Sequence, residues 1–348
     1  MPRAKTGSCG IFFGCAIAAL IGLYVRLMRA LIRRILASSV VALGMGIVAI
    51  FSTPSPIAGN SKQIPTLGRG KYLVESVAIC FECHSEREFS KLGWPIPPGR
   101  VGGGRVLSGE STPEPVVAPN ISPDTTTGIG EWSDDEIIRA IREGVGRDGR
   151  LLNPEMPYRY FRGLNSVELR SIVIYLRSIP AVSHTLSKMA KYEPGNHPPT
   201  VAMDSIRLTS SSNTVKRGEY LVRLGGCETC HTPTNQEGFI PGMEFAGGTV
   251  FRHDNQADAS SNLTPDPSGI GAMNEQKFIQ IIRTGKSGTR ALNSAMPWYF
   301  YRNMTDSDLK AVFAYLKALP PIPHKIDNSQ QPTLCPKCRN QHGLGDQN

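Results

Sequence analysis

The pentapeptide pattern Cys-x-x-Cys-His occurs twice, as Cys80-Phe81-Glu82-Cys83-His84 and as Cys227-Glu228-Thr229-Cys230-His231. This spacing is typical of covalent haem attachment, in which both thiols add to the haem vinyl groups and the histidine ligates the iron from one face. A redox dithiol, half of a zinc site and a disulfide are alternatives for the cysteine pairs. A redox dithiol or a zinc site does not explain a histidine directly after the second cysteine in both places. We therefore predict two covalently attached haem c groups.

The opposite axial ligand of each iron must come from elsewhere in the chain. A thioether favours reduced iron, which makes His/Met the usual pairing for electron transfer. Met156 and Met296 occupy equivalent Met-Pro-aromatic positions, so we predict the pairs His84/Met156 and His231/Met296. The remaining methionines in the body of the chain do not recur and are expected to fill the core: Met189, Met203, Met243, Met273 and Met304.

Other histidines are weaker candidates. His253 has no counterpart in the first half of the chain. Four more lie in segments that read as linker or tail, and we expect them to be surface residues: His184, His197, His324 and His342.

A third cysteine pair, Cys335 and Cys338, lacks the histidine because Arg339 follows it. A disulfide is the preferred interpretation in an exported protein. A partial metal site that includes His342 is the second interpretation.

An internal repeat surrounds the two pentapeptides. Six patterns recur in the same order at offsets that fall from 148 to 140 residues: Arg69-Gly70-Lys71-Tyr72-Leu73-Val74 with Arg217-Gly218-Glu219-Tyr220-Leu221-Val222, the pentapeptides, Asn120–Asp124 with Asn262–Asp266, Gly128–Gly130 with Gly269–Gly271, Met156–Tyr158 with Met296–Trp298, and Tyr175-Leu176 with Tyr315-Leu316. We therefore predict domains at 61–182 and 214–323, with a linker at 183–213 and a polar tail at 324–348. The repeated Asn120/Asn262 and Asp124/Asp266 either bond a haem propionate or shape their loop.

Helix signals recur with the repeat. Ser133 and Glu136 predict a capping box, and Gly144 predicts the end of that helix; Asn274 and Gly285 are the counterparts. Asn165 and Thr305 predict the start of a second helix in each copy, with apolar residues spaced i, i+3, i+4 and i+7. Pro180 and Pro320 predict its end.

The N-terminal region 1–58 contains two apolar stretches, Ile11–Val25 and Ile35–Phe51, separated by a basic patch. This pattern predicts export, either by a cleaved signal or by a membrane anchor. The region has six basic residues and no acidic one, so without it the net charge falls from +9 to +3. The basic bias is therefore a targeting feature and does not indicate a nucleic-acid partner.

These motifs resemble class I c-type cytochromes and, more narrowly, the multihaem cytochrome c subunits of membrane-bound alcohol, aldehyde and related dehydrogenases. The resemblance covers about residues 66–182 and 214–321. It implies a mainly α, loop-rich fold with two tandem class I cytochrome c domains after the N-terminal hydrophobic segment. It also implies the two His/Met pairs as axial ligands.

The expected function is electron transfer without catalysis, from a periplasmic or membrane-bound dehydrogenase to a respiratory acceptor. The expected location is the periplasmic side of the cytoplasmic membrane, with membrane association. A dihaem peroxidase or a small-ligand sensor is the alternative, and each needs an open iron site. The equivalent methionine in both copies argues against the peroxidase.

Overall fold

The structure is a computed structural model that describes residues 64–107, 116–186, 213–253 and 256–348. Region 1–58, His197 and most of the predicted linker lie outside these ranges. From Gln63 onward the chain belongs to one compact unit. Within the described ranges, no helix combines the length and apolarity needed to span a bilayer.

Helices dominate the described residues and recur in the same order in both repeats. The first repeat has α1 Leu67–Tyr72, which continues as a π-helical turn over Leu73–Val77, then α2 Cys80–Cys83, α3 Asp134–Glu143, α4 Tyr158–Phe161 and α5 Ser166–Ser178. The second has α6 Thr214–Leu224, α7 Cys227–His231, α8 Glu275–Thr284, α9 Trp298–Tyr301 and α10 Asp306–Lys317.

The strands of the described ranges are short and form only two-stranded antiparallel sheets. They are β1 Arg105–Leu107 with β2 Val116–Ala118, β3 Thr234–Asn235 with β4 Gly238–Phe239, β5 Val250–His253 with β6 Gln256–Ala259, β7 Lys286–Ser287 with β8 Arg290–Ala291, and β9 Pro332–Leu334 with β10 Gln341–Gly343. One 3₁₀ turn, Gly345–Gln347, follows β10. The helix-rich character predicted from the sequence is confirmed.

The predicted helix caps are confirmed by their hydrogen bonds. At the start of α3, the Ser133 hydroxyl accepts from the Glu136 amide while the Glu136 carboxylate accepts from the Ser133 amide. Gly144 ends the helix at φ 70°, a left-handed conformation that glycine adopts without steric cost. Asn165 and Thr305 cap α5 and α10 as predicted.

The first helix of each repeat packs closely on the last. A Cβ atom at Gly70 would lie 1.8 Å from the carbonyl oxygen of Ser171 in α5. A Cβ atom at Gly218 would lie 1.9 Å from that of Ala311 in α10. The repeated Arg-Gly-x-Tyr-Leu-Val pattern therefore has glycine because the two backbones touch at that point.

One apolar cluster extends through both repeats. Its fully buried members include Leu73 and Val74 after α1, Leu169 in α5 and Leu309 in α10. The Cys-x-x-Cys-His segments and the Met-Pro turns pack along this cluster, so the core fixes their positions.

Candidate functional site

The first Cys-x-x-Cys-His segment is a single helical turn, α2, entered through Ile79 at φ 43°. A β-branched residue in the left-handed region is a genuine outlier and indicates local strain. In the second repeat the corresponding residue before α7 is Gly226, at φ 64°, which relieves this strain. Both repeats therefore need the same backbone turn directly before the first cysteine.

Both histidines of these segments are oriented by a backbone carbonyl. His84 Nδ1 lies 2.7 Å from the carbonyl oxygen of Pro119, and His231 Nδ1 lies 2.8 Å from that of Ser261. Each Nδ1 therefore carries the ring proton and donates it, which leaves the Nε2 lone pair of each imidazole for a metal. Burial also lowers the pKa of both histidines, so both rings are neutral at pH 7.

The two carbonyls belong to residues that directly precede the repeated asparagines. Asn120 accepts a hydrogen bond from the Ser122 amide and donates one of 2.6 Å to the carbonyl of Val182. Asn262 makes the same pair of contacts with Thr264 and Ile322. Asp124 and Asp266 accept from amides of their own turns. These contacts support the loop-shaping interpretation of the repeated residues, and they fix the carbonyls that hold the histidines.

All four cysteines of the two segments are free thiols. Burial raises the pKa of Cys80 and Cys227 to about 12 and that of Cys83 and Cys230 to about 11. A redox-active dithiol is favoured by a lowered thiol pKa, and burial shifts the pKa of these four thiols in the opposite direction.

Met156 and Met296 lie in identical turns. The amide of Met156 donates to Asn153 and that of Met296 to Asn293, at 2.9 and 3.0 Å, and the carbonyl of each methionine accepts from the residue that begins the following short helix. Both methionines are partly buried against the apolar cluster, as are Cys80 and Cys227. The structure thus places both methionines and the first cysteine of each Cys-x-x-Cys-His segment against the same apolar cluster.

Apolar side chains at matching positions of the two repeats are only partly buried on this cluster: Ile121 and Leu263, Trp132 and Met273, Ile138 and Ile279. A large apolar cofactor would cover such side chains. With two free thiols and an oriented, neutral histidine at each position, the residues present fit a covalently attached haem c in both repeats.

Comparison with known proteins assigns a family to the second repeat. Residues 215–320 match the family model described as Cytochrome c, so this part of the chain is a cytochrome c domain. Over 303 residues, which are 80% of the chain and 59% of the relative, it is 26% identical to the cytochrome c subunit of alcohol dehydrogenase (quinone) from Gluconobacter oxydans (strain 621H).

Two further relatives carry similar names. The fructose dehydrogenase cytochrome subunit of Gluconobacter japonicus is 25% identical over 299 residues, 80% of this chain and 57% of that protein. A diheme cytochrome c-type protein of Cereibacter sphaeroides is 25% identical over 277 residues, 70% of this chain and 82% of that protein. The chain therefore spans a little under 60% of the two dehydrogenase subunits. The predicted resemblance to cytochrome c subunits of dehydrogenases is confirmed.

Two predictions for the C-terminal residues are wrong. His324 and His342 are buried, with 0% and 2% of their surface exposed, because each packs into the centre of the folded C-terminal segment. Cys335 and Cys338 are free thiols that face these histidines, so they form no disulfide.

His324 also has a sequence counterpart in the first repeat, which is a further recurrence between the two copies. His324 and His184 each follow the helix-ending proline of their repeat by four residues. Each donates from Nδ1 to a backbone carbonyl, of Ala246 for His324 and of Gly103 for His184. His184 is only partly exposed and faces Glu86.

Proposed function

We propose that this chain carries electrons through two covalently bound c-type haems, one in each tandem domain, at 61–182 and 214–323. The observation that carries the proposal is the pair of Cys-x-x-Cys-His segments whose histidines present a free Nε2. When bound, each haem supplies an iron that cycles between the ferrous and ferric states.

The chain's own residues would hold each group in the same way. Cys80 and Cys83 in the first repeat, and Cys227 and Cys230 in the second, provide the covalent tethers. The carbonyls of Pro119 and Ser261 keep each imidazole in the tautomer that can ligate. Met156 and Met296 would each supply the second protein ligand to the iron, and a thioether ligand would favour the reduced state.

Contacts between the repeats support electron exchange within the molecule. Glu82, inside the first Cys-x-x-Cys-His segment, accepts a 2.8 Å hydrogen bond from Tyr299 in α9 of the second repeat. Thr229, inside the second segment, lies 3.3 Å from the hydroxyl of Tyr160 in α4 of the first. Each attachment segment therefore contacts the short helix, α4 or α9, that follows the Met-Pro pair of the other repeat. This contact favours a short path between the haems.

The external partners are redox proteins. The relatives named above are cytochrome subunits of dehydrogenases, which favours a dehydrogenase as electron donor and a respiratory component as acceptor. The N-terminal pattern supports placement on the periplasmic side of the cytoplasmic membrane, with the chain anchored or exported by region 1–58. A reporter that works only outside the cytoplasm, fused after Asn60, should be active; activity of a cytoplasm-only reporter would refute this topology.

A dihaem peroxidase needs one iron with an open or displaceable ligand. The Met156 and Met296 turns have the same backbone hydrogen bonds, so no observation singles out one site as open. The equivalence of the two turns favours electron transfer at both sites over peroxidase activity at one of them.

The direct test is the mass of the denatured protein, produced in a host that attaches c-type haem. The unmodified chain should retain two haems. Cys80→Ala/Cys83→Ala should retain one, and so should Cys227→Ala/Cys230→Ala. Cys335→Ala/Cys338→Ala is the matched control and should retain two. One or three haems on the unmodified chain would contradict the proposal.

A further inference from the structure

The C-terminal segment contains four buried side chains whose ligand atoms converge. His324, Cys335, Cys338 and His342 each offer one nitrogen or sulfur atom, and all four atoms lie within 4.8 Å of one another. All four residues are at most 2% exposed. Among the described residues these are a complete Cys₂His₂ set, outside both Cys-x-x-Cys-His segments.

A short hairpin presents three of the four. β9 and β10 pair with His342 opposite Thr333, and the turn between them contains Cys335 and Cys338. The amide of Cys338 points at Cys335 Sγ, 3.5 Å away. Arg339, at φ 62°, closes this turn in the left-handed region. The fourth residue, His324, approaches from the chain that leaves the second repeat.

The two histidines are oriented so that their Nε2 atoms face each other. His324 Nδ1 donates to the carbonyl of Ala246 at 2.9 Å, and His342 Nδ1 donates to the carbonyl of Gly343 at 3.0 Å. Each Nε2 therefore presents a lone pair, and the two Nε2 atoms are only 3.2 Å apart. Cys335 Sγ lies 3.3 Å from His324 Nε2. A thiol proton can satisfy at most one of these lone pairs, whereas a cation between them satisfies both.

We propose that His324, Cys335, Cys338 and His342 bind one Zn²⁺ ion that holds the C-terminal segment against the second repeat. Zinc takes tetrahedral sets of sulfur and nitrogen, with Zn–N of about 2.0–2.1 Å and Zn–S of about 2.3 Å. In that geometry two nitrogens are separated by about 3.3–3.4 Å and nitrogen from sulfur by about 3.5–3.6 Å. The 3.2 and 3.3 Å separations in the structure are close to both values.

The segment lacks the apolar residues that would fold it without a metal. Its buried cluster consists of Met243, Ala246, Cys335 and Cys338, flanked by partly buried Ile240 and Ile322. Leu334, the large apolar residue of the hairpin, is 57% exposed. So small a core needs an additional cross-link to be stable, and a structural zinc site supplies folding free energy directly.

Two hydrogen bonds also connect the proposed zinc site to His231, the histidine of the second haem-attachment segment. Ala246, which accepts from His324, is followed by Gly247, whose amide donates to the carbonyl of His231 at 2.7 Å. A Cβ atom at Gly248 would lie 2.7 Å from His324 and 3.3 Å from Cys338 Sγ, so glycine is required at this contact. The zinc would therefore fix the loop 246–248 behind His231.

The first repeat offers the matched control. His184 occupies the position of His324 and donates to Gly103 in the same way, but its Nε2 lies 3.5 Å from a carboxylate oxygen of Glu86. No cysteine joins it among the described residues. A metal should therefore bind at His324 and not at His184.

The test is metal analysis of the full-length, haem-loaded protein after dialysis against a weak chelator. We expect one zinc per chain, and zinc X-ray absorption should show two sulfur and two nitrogen neighbours. Cys338→Ser and His342→Ala should reduce zinc at least tenfold, whereas His184→Ala should retain one equivalent. Since zinc is counted separately from haem iron, the result is independent of the haem count.

The unmodified protein alone can overturn the proposal, so a variant that fails to fold does not block the test. Thiol alkylation of the denatured protein without reductant should label both Cys335 and Cys338. A disulfide between them, an absence of zinc, or a different metal bound by these four residues would each contradict zinc at this site.

Discussion

The hydroxyl of Tyr72 donates a 2.6 Å hydrogen bond to Oδ2 of Asp308, which lies 236 positions later in the chain. Its repeat counterpart Tyr220 donates one of 2.7 Å to Oε2 of Glu168, the counterpart of Asp308. Each carboxylate also pairs with the arginine of its own repeat: Arg69 with Glu168 and Arg217 with Asp308. The repeated Arg-Gly-x-Tyr residues thus form a reciprocal contact that joins the two repeats.

Removing either tyrosine hydroxyl should destabilise the protein. In Tyr72→Phe and Tyr220→Phe, a buried carboxylate loses one donor, and hydrogen bonds to charged groups contribute about 1.5–3 kcal/mol. We expect each variant to lower the free energy of unfolding by about 1–3 kcal/mol in urea titration. Tyr158→Phe, in the first repeat but outside this contact, is the control. Equal stability of all three variants would show that the contact contributes nothing.

The same contact predicts an alkaline loss of stability. Burial and the hydrogen bond to Asp308 raise the pKa of Tyr72 from 10.0 to about 12, and burial beside Glu168 raises the pKa of Tyr220 well above 10. The folded protein therefore keeps protons that the unfolded chain loses above pH 10, so stability falls as pH rises through that range. Unfolding followed from pH 9 to 12 should show this fall, with a smaller slope in Tyr72→Phe/Tyr220→Phe. An unchanged slope in that double variant would contradict the assignment to these tyrosines.

The close approach of the first and last helices predicts a sharp cost for a single methyl group. Gly70→Ala and Gly218→Ala would each place Cβ inside the radius of a backbone carbonyl oxygen. We expect each to lower the melting temperature, with a loss of about 1–3 kcal/mol or more because backbone must shift. Gly68→Ala is the matched control, since no atom lies within 4 Å of its Cβ. Within a helix, alanine there should be neutral or stabilising by up to about 1 kcal/mol.

Local signals gave a reliable prediction of helices from the sequence. Ser133, Asn165 and Thr305 cap helices as predicted because a cap depends on residues within one turn. The Cys-x-x-Cys-His segments could be recognised from the sequence just as easily, because both cysteines and the histidine lie within five consecutive residues. By contrast, nothing near Gly70 in the sequence indicates that it touches Ser171.

The parts of the site that escaped prediction depend on distant backbone atoms. The carbonyls of Pro119 and Ser261 orient the histidines, yet a carbonyl carries no residue-type signal. The burial of His324 and His342 follows from their meeting Cys335 and Cys338, and a polar composition predicted exposure instead. The recurrence of His184 and His324 after the helix-ending prolines was the available clue.

Replacing the proposed sulfur ligands should affect one iron at a time. Met156→Leu conserves volume but removes the thioether, so the haem of the first repeat should lose its sulfur-to-iron charge-transfer absorption. Its potential should fall by on the order of 0.1 V or more, within the range of about 0.8 V that axial ligands span. Met296→Leu should do the same to the other haem. Met304→Leu, at a buried methionine that does not recur, is the control. Loss of the band in the control, or its persistence in both other variants, would rule out this ligand assignment.

Removing the proposed zinc should weaken the second haem site more than the first. The path is short: His324 bonds the carbonyl of Ala246, and the next amide bonds the carbonyl of His231, whose ring is the predicted iron ligand. Without the metal, the hairpin that carries Cys335, Cys338 and His342 loses its cross-link to His324, and the loop behind His231 loses support.

In Cys335→Ser/Cys338→Ser we therefore expect faster proteolysis after residue 324. We also expect a shift in the midpoint potential of one haem, assigned to the second repeat by comparison with Met296→Leu. In the first repeat the amide of Gly104 donates to the carbonyl of His84, and a Cβ atom at Gly104 would meet Leu186, Ala118 and Asn120, so the potential of the first haem should not change. If the tail is cleaved faster while the midpoint potentials of both haems stay unchanged, the metal stabilises only the tail and does not support the second haem site.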